Sequence, residues 1–231
     1  ALILCSPSNP TGSVYCATEL AALAEVLRRH EQVTVISDEI YEHINYVGAH
    51  ASIASLPDMK ERTVVINGVS KAYAMTGWRI GFSAAPLALA KAMNKLQGQY
   101  TSGPCSVSQM AAVAAFSGPQ ECVEEMRQAF LRRKNLIVDL TRQIPGLEVN
   151  DPHGAFYLFP KCSSYFGKTD GKHVINSSSD LALYLLEEGH VATVGGDAFG
   201  SPECFRMSYA TSDENIVEAI RRIKEALSRL K

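Results

Sequence analysis

Long apolar runs are missing from this sequence: no stretch of its 231 residues reaches the length that crosses a bilayer. The opening, Ala1-Leu2-Ile3-Leu4-Cys5-Ser6-Pro7, has neither the basic region nor the cleavage site of a signal peptide. Runs of like charge are also missing. Charged residues make up 20% with a formal net charge of −2, which argues against a nucleic-acid partner or a charged binding tail. The six cysteines (Cys5, Cys16, Cys105, Cys122, Cys162, Cys204) are scattered, with no C-x-x-C pair, which argues against metal and redox motifs. Scattered cysteines read as small hydrophobes in a reducing compartment, so a soluble cytoplasmic protein is expected. There is no starting methionine, and strand-like sequence begins at once; the sequence is therefore expected to begin inside a larger protein. Neither an internal repeat nor a low-complexity tract is present.

What is there is enough apolar material, 46%, for a sizeable core and two domains. Residues 2–5 read as a short buried strand ended by the turn formers Ser6 to Gly12. Thr18 can cap a helix that shows Leu20, Leu23 and Leu27 on one face and runs to about His30. Residues 33–37, 63–67 and 79–84 are further apolar, strand-like runs. Such strands separated by helices predict a buried, mostly parallel sheet flanked by helices on both faces. Residues 87–143 are helical in pattern, cut by Gly103-Pro104 and Gly118-Pro119, and the last segment is long enough to bridge two lobes. Beyond it, short strands near 147–149, 155–159, 191–194 and 205–209 alternate with two helices. One starts at Ser177–Asp180 and stops at Gly189; the other starts at Ser212 and carries Ile216, Ile220, Ile223 and Leu227 at helical spacing. The expected organisation is α/β: a large domain over 1–125, and an interdomain helix with a smaller α/β domain over 126–231.

Four segments can carry chemistry. A lysine just past a strand is usually a solvated surface residue, and Asn67-Gly68 could be a plain turn. Lys71, however, is crowded by small residues and followed eight positions later by Arg79. An amine that attacks an aldehyde needs a partly desolvated setting, and an arginine fork suits a phosphate. Asp38 and Glu39 end a strand, where open α/β sheets place their ligands, with Tyr41 two residues further on; a solvated strand end is the plainer alternative. Ser8-Asn9-Pro10-Thr11-Gly12 is explicable as a polar turn. Arg206, in Phe205-Arg206-Met207-Ser208-Tyr209, could pair with a surface acid.

Gly68 to Gly81 resembles, throughout, the lysine-attachment signature of class I and II aminotransferases, which depend on pyridoxal 5'-phosphate (PLP). Asp38-Glu39-Ile40-Tyr41 is similar to that family's D-E-x-Y motif, Asn9-Pro10-Thr11-Gly12 to its N-P-T-G loop, and the segment around Arg206 to its R-[ILM]-S-[YF]-A element; all four occur in the family's order. The resemblance implies an aspartate aminotransferase-like enzyme of PLP fold type I, represented by a C-terminal portion with the large domain incomplete at its N-terminus. It implies that Lys71 forms the Schiff base and later acts as general base, and that Asp38 pairs with the ring nitrogen. Tyr41 and Asn9 would contact the ring's phenolic oxygen, Arg79 the phosphate, and Arg206, with Asn9, the substrate carboxylate. Some family members carry a phosphate-binding serine where this chain has Gly68, and Ser70 is the candidate to help instead. Glu39 is read as structural. His153-Gly154-Ala155-Phe156-Tyr157 resembles the family's G-A-F-Y element, which lines or supports the site; His153 is not read as catalytic, and the other histidines as structural or exposed. The implied substrates are aspartate or a similar amino acid and a 2-oxo acid, and a homodimer is implied by analogy. Two alternatives share these motifs: a lyase, synthase or decarboxylase on the same scaffold, or an aminotransferase-like domain of a transcription regulator.

Overall fold

In the computed structural model, which describes residues 1–231, a four-stranded sheet is built from β1 (Leu2–Cys5), β2 (Val35–Asp38), β3 (Thr63–Gly68) and β4 (Gly81–Ala84), in that spatial order. The first three strands run parallel; β4 is antiparallel to β3, with Gly68 opposite Gly81. The parallel register puts Cys5 beside Asp38 and Asp38 beside Ile66, so the carboxyl ends of β1 to β3 finish level with one another. Parallel neighbours need a long crossover, and α1 (Ala17–Arg28) supplies the first. Its Leu20, Ala24 and Leu27 pack with Leu4, Val35, Ile53 and Met59 in one apolar cluster. On the other face Val64 is buried, Ile3 is 73% exposed, and all of β4 is exposed.

The helix boundaries also differ from the sequence expectation. Cys16, not Thr18, is the N-cap of α1, because the Glu19 carboxylate accepts the Cys16 backbone N–H at 2.8 Å. The long helical stretch resolves into α2 (Leu87–Tyr100), α3 (Ser106–Ser117) and α4 (Glu121–Thr141). In α2 and α3, Leu87, Leu96, Tyr100, Val107 and Met110 lie open to solvent.

The chain divides into two units: Ala1–Ser8 with Ser13–Arg127, and Asn9–Gly12 with Gln128–Lys231. The division falls inside α4, and the four-residue loop Asn9–Gly12 belongs with the second unit. That loop is held by backbone polar groups, whose burial demands partners. The Gly12 carbonyl accepts N–H bonds from His153 and Gly154, both at 2.9 Å, and the Asn150 amide donates to the Thr11 carbonyl. Gly12 has φ +69°, and a Cβ there would lie 2.4 Å from that of Pro152, so no larger residue fits.

The second unit contains an antiparallel sheet ordered β5 (Tyr157–Leu158), β7 (Phe205–Ser208), β6 (Val194–Gly195). Of the strand expected at 147–149, only a Glu148–Lys161 bridge forms. Two helices, α5 (Ser178–Gly189) and α6 (Asp213–Ser228), pack together, and the Tyr184 hydroxyl donates to the Ala226 carbonyl at 2.8 Å. The left-handed residue that ends α5 is His190, not Gly189; Gly189 is the last helical residue, and a Cβ there would lie 3.6 Å from that of Ala226. At the other end of the pair, the Ser212 hydroxyl accepts the Asn215 N–H and caps α6, whose Ile216, Ile220, Ile223 and Leu227 are buried. Ser212→Ala should lower the free energy of unfolding by about 1 kcal/mol, the usual worth of an N-cap. Urea denaturation checks this, and an unchanged midpoint would contradict the capping assignment.

Candidate active site

The level strand ends of the first unit are followed by four of the sequence-selected residues. Asp38 is the last residue of β2, half-buried; its Oδ1 accepts the Ile40 N–H at 3.1 Å, while its carbonyl accepts the Ser6 N–H. Tyr41 lies in the following turn and is 4% exposed. From the neighbouring strand, β3, the chain turns at Val69 and brings Ser70 and Lys71 forward, both half-buried. The Lys71 ammonium lies 5.6 Å from the centroid of the Tyr41 ring. A lysine against an aromatic face in a half-buried turn is partly stripped of water, the setting an attacking amine needs.

Arg79 differs from its sequence expectation. It is not in a buried strand: it is exposed, with φ +51°, at the end of a short 3-10 turn over Thr76–Trp78. Both its backbone N–H and its Nη1 donate to the Thr76 carbonyl, the latter at 2.9 Å, and this reversal precedes the start of β4 at Gly81. Gly68 has a steric cause: a Cβ there would meet Gly81 Cα at 2.9 Å, so the β3–β4 approach excludes a serine. Its N–H is taken by the buried Asn67 side chain at 2.7 Å.

In the second unit, Arg206 lies on β7 opposite Val194, and its Nη1 donates to Asn9 Oδ1 at 2.8 Å. Two residues that sequence reading passed over complete this group. The guanidinium carbon lies 4.6 Å from the Tyr157 ring centroid and 4.9 Å from that of Phe199. Tyr157 was visible in the segment after His153, but only as a lining residue, and Phe199 sits in a glycine turn without periodicity. His153 itself contributes a backbone N–H to Gly12.

The donor set suits PLP group by group. Within the first unit, Lys71 is an amine for an aldehyde, Asp38 a carboxylate for a pyridinium, Tyr41 a donor for a phenolic oxygen, and Arg79 a permanent cation for a phosphate. Ser70 adds a hydroxyl beside Lys71.

Glu39 has a definite structural place. Its buried carboxylate accepts from Ser37 Oγ at 2.8 Å, Ser52 Oγ at 2.6 Å and His50 Nε2 at 2.8 Å, which ties the end of β2 to the segment 50–55. Burial pushes this carboxyl up, but the hydrogen bonds from His50, Ser52 and Ser37 outweigh it and hold the carboxyl below the ordinary 4.5. Glu42, bonded to His43, is lowered as well. A lowered folded value stabilises the fold above the unfolded value, and that stability is lost as pH falls through the folded one. Glu39→Gln should therefore cost roughly 1–3 kcal/mol at neutral pH and flatten the loss of stability below pH 4.5. Denaturation measured across pH checks this; wild-type stability at pH 7 would contradict it.

The chain's similarity to known proteins follows the same lines. The family model described as aminotransferase class I and II matches residues 1–223. The chain is 51% identical over 235 residues to the bifunctional aspartate aminotransferase and glutamate/aspartate-prephenate aminotransferase of Petunia hybrida, covering all of this chain and 49% of that one. It is 51% identical over 225 residues to the aspartate aminotransferase of Geobacillus stearothermophilus, covering 96% and 56%. The crystal structure of the Rhizobium meliloti aspartate aminotransferase superposes with a TM-score of 0.94 at 46% identity, covering 99% of this chain and 58% of that one. The chain thus spans about half the length of the curated relatives it matches. Its α/β architecture, with a mostly parallel sheet and flanking helices, is that of fold type I, and the chain belongs to the class I and II aminotransferases, a family that uses pyridoxal 5'-phosphate.

Proposed function

We propose that this protein is a PLP-dependent aminotransferase that moves an amino group between aspartate, or a similar amino acid, and a 2-oxo acid. The observation that carries the reading is Lys71 turned against the Tyr41 ring beside the strand end that bears Asp38. The names of the relatives, aspartate aminotransferases at about half identity, support transfer over lyase, synthase or decarboxylase chemistry and over a regulator's domain. When bound, PLP supplies an aldehyde for amines and a ring that accepts the electrons left by a departing α-proton.

The chain's residues supply the rest. Lys71 would hold the cofactor through its amine and, once freed by the substrate's amino group, would serve as the base for the substrate Cα proton, which the same amine would carry as an ammonium until it is returned. The Asp38 carboxylate keeps the ring nitrogen protonated, a charge-assisted contact typically worth about 1.5–3 kcal/mol. The Tyr41 hydroxyl donates to the ring's phenolic oxygen. Asn9 does so through its amide nitrogen, since its Oδ1 is taken by Arg206. Arg79 holds the phosphate, with Ser70 as a further donor, and Arg206 receives the substrate α-carboxylate in a two-point contact.

Association as a homodimer belongs to the same proposal. It draws support from Leu96, Tyr100, Val107 and Met110 of α2 and α3, large apolar side chains that are each exposed to solvent. A cytoplasmic location is proposed from the six cysteines scattered along the sequence without a C-x-x-C pair. No helix is long and apolar enough to cross a membrane.

With aspartate and 2-oxoglutarate as a trial pair and PLP present, formation of the new oxo acid should fall by at least about a thousandfold in Lys71→Ala, which loses both tether and base. Arg206→Lys should chiefly raise KM. Oxo-acid formation by Lys71→Ala at the wild-type rate would refute the assignment.

A further inference from the structure

Arg206 packs against two aromatic rings. Tyr157, buried on β5 next to β7, has its ring centroid 4.6 Å from the guanidinium carbon. Phe199 lies at 4.9 Å and comes from a different element, the 3-10 turn Gly196–Phe199 that follows β6. We infer that Phe199 and Tyr157 are positioning residues whose rings hold Arg206, so that its N–H groups are presented to a carboxylate in one orientation. The inference rests on the reading of Arg206 as the substrate-carboxylate residue.

The turn that carries Phe199 is anchored well beyond what a surface loop requires. The Asp197 carboxylate accepts from the hydroxyls of Ser179, at 2.7 Å, and Ser178, at 3.2 Å, in the first turn of α5. The Gly196 N–H donates to the Cys204 carbonyl at 2.8 Å and approaches Ser178 Oγ at 3.0 Å. A Cβ on Gly196 would come within 2.0 Å of the Ser201 carbonyl oxygen and 2.3 Å of that of Cys204, so only glycine lets the turn close this tightly. Gly200 ends the turn in the left-handed region, at φ +72°. Phe199 itself rests edge-on against Phe159, with ring centroids 5.9 Å apart.

Packing against the two rings confines the guanidinium, and the bond to Asn9 Oδ1 fixes the direction of one of its N–H groups. A long side chain otherwise loses rotamer freedom when it meets its ligand. One held beforehand has already lost it, so the carboxylate binds more tightly. The cation–π attraction comes from the ring face, so a residue of equal bulk without that face does not replace it.

The test uses succinate as a carboxylate probe, titrated into the chain while the Arg206 side-chain N–H resonances are followed by nuclear magnetic resonance. Phe199→Leu should weaken binding by roughly three- to tenfold, whereas Phe199→Tyr, which keeps the ring face, should stay within about twofold of wild type. Before any succinate is added, the Arg206 Nε–H resonance should be shifted upfield by the two rings in the wild type and in Phe199→Tyr. Wild-type affinity in Phe199→Leu while Arg206→Ala loses binding overturns the inference and leaves the reading of Arg206 standing. Unchanged binding in Arg206→Ala overturns that reading, and the inference with it. An unshifted Arg206 resonance in the wild type overturns the inference even where Phe199→Leu does not fold.

Discussion

In a parallel sheet, neighbouring strands deliver their carboxyl ends to the same edge, and the first unit depends on that constraint. Asp38 pairs in register with Cys5 on one side and Ile66 on the other, so the chain leaves β2 and β3 side by side. Tyr41 follows from one exit and Lys71 from the other, and the lysine rests against the phenol ring. A slip of one residue would exchange the faces of the strand and carry Asp38 away from its neighbours. The apolar cluster around Leu20, Leu27 and Val35 holds the register from one face, and the buried Glu39 carboxylate pins the end of β2 through two serines and His50. The polar pinning is more exacting than the apolar one. A buried carboxylate deprived of its donors costs several times what a lost methyl contact does.

The second unit solves a different problem with the same means. A long cationic side chain on a two-sided strand is mobile by default; here it is confined by two aromatic faces and one amide oxygen. The loop that carries this amide, Asn9–Gly12, lies far from Arg206 in sequence. It is nonetheless fastened to the second unit through the Gly12 carbonyl and through Asn150, which donates to Thr11 and accepts from Phe159. Small side chains at Gly12, Gly68 and Gly196 each mark a place where backbone must approach backbone or side chain within what a Cβ permits.

Much of this architecture was legible beforehand because it is local. The runs at 2–5, 33–37 and 63–67 are β-branched and bounded by turn formers, and the helix beginning at Ser212 has both a cap and an apolar stripe. Asp38 and Lys71 could be singled out because they stand just past such runs, within motifs that fix many positions. What could not be read depends on tertiary contacts. Arg79-Ile80-Gly81-Phe82 alternates like a strand, yet Arg79 turns left-handed because the Thr76 carbonyl captures it from two directions. The pairing of Glu39 with His50 joins residues eleven positions apart across an irregular segment. Phe199 emerges from a glycine turn whose closure depends on the serines of α5. The exposure of Ile3 and β4 was unreadable for another reason: apolar composition marks what can be buried, not what is.

The central claim is that Lys71 is the one lysine that engages the cofactor aldehyde. Borohydride reduction of the chain in the presence of pyridoxal 5'-phosphate, followed by peptide mass mapping, addresses it directly. A single reduced adduct on the peptide that contains Lys71, absent from Lys71→Arg, is the predicted result. Adducts spread over other lysines such as Lys91 and Lys95, or labelling that persists undiminished in Lys71→Arg, would contradict it.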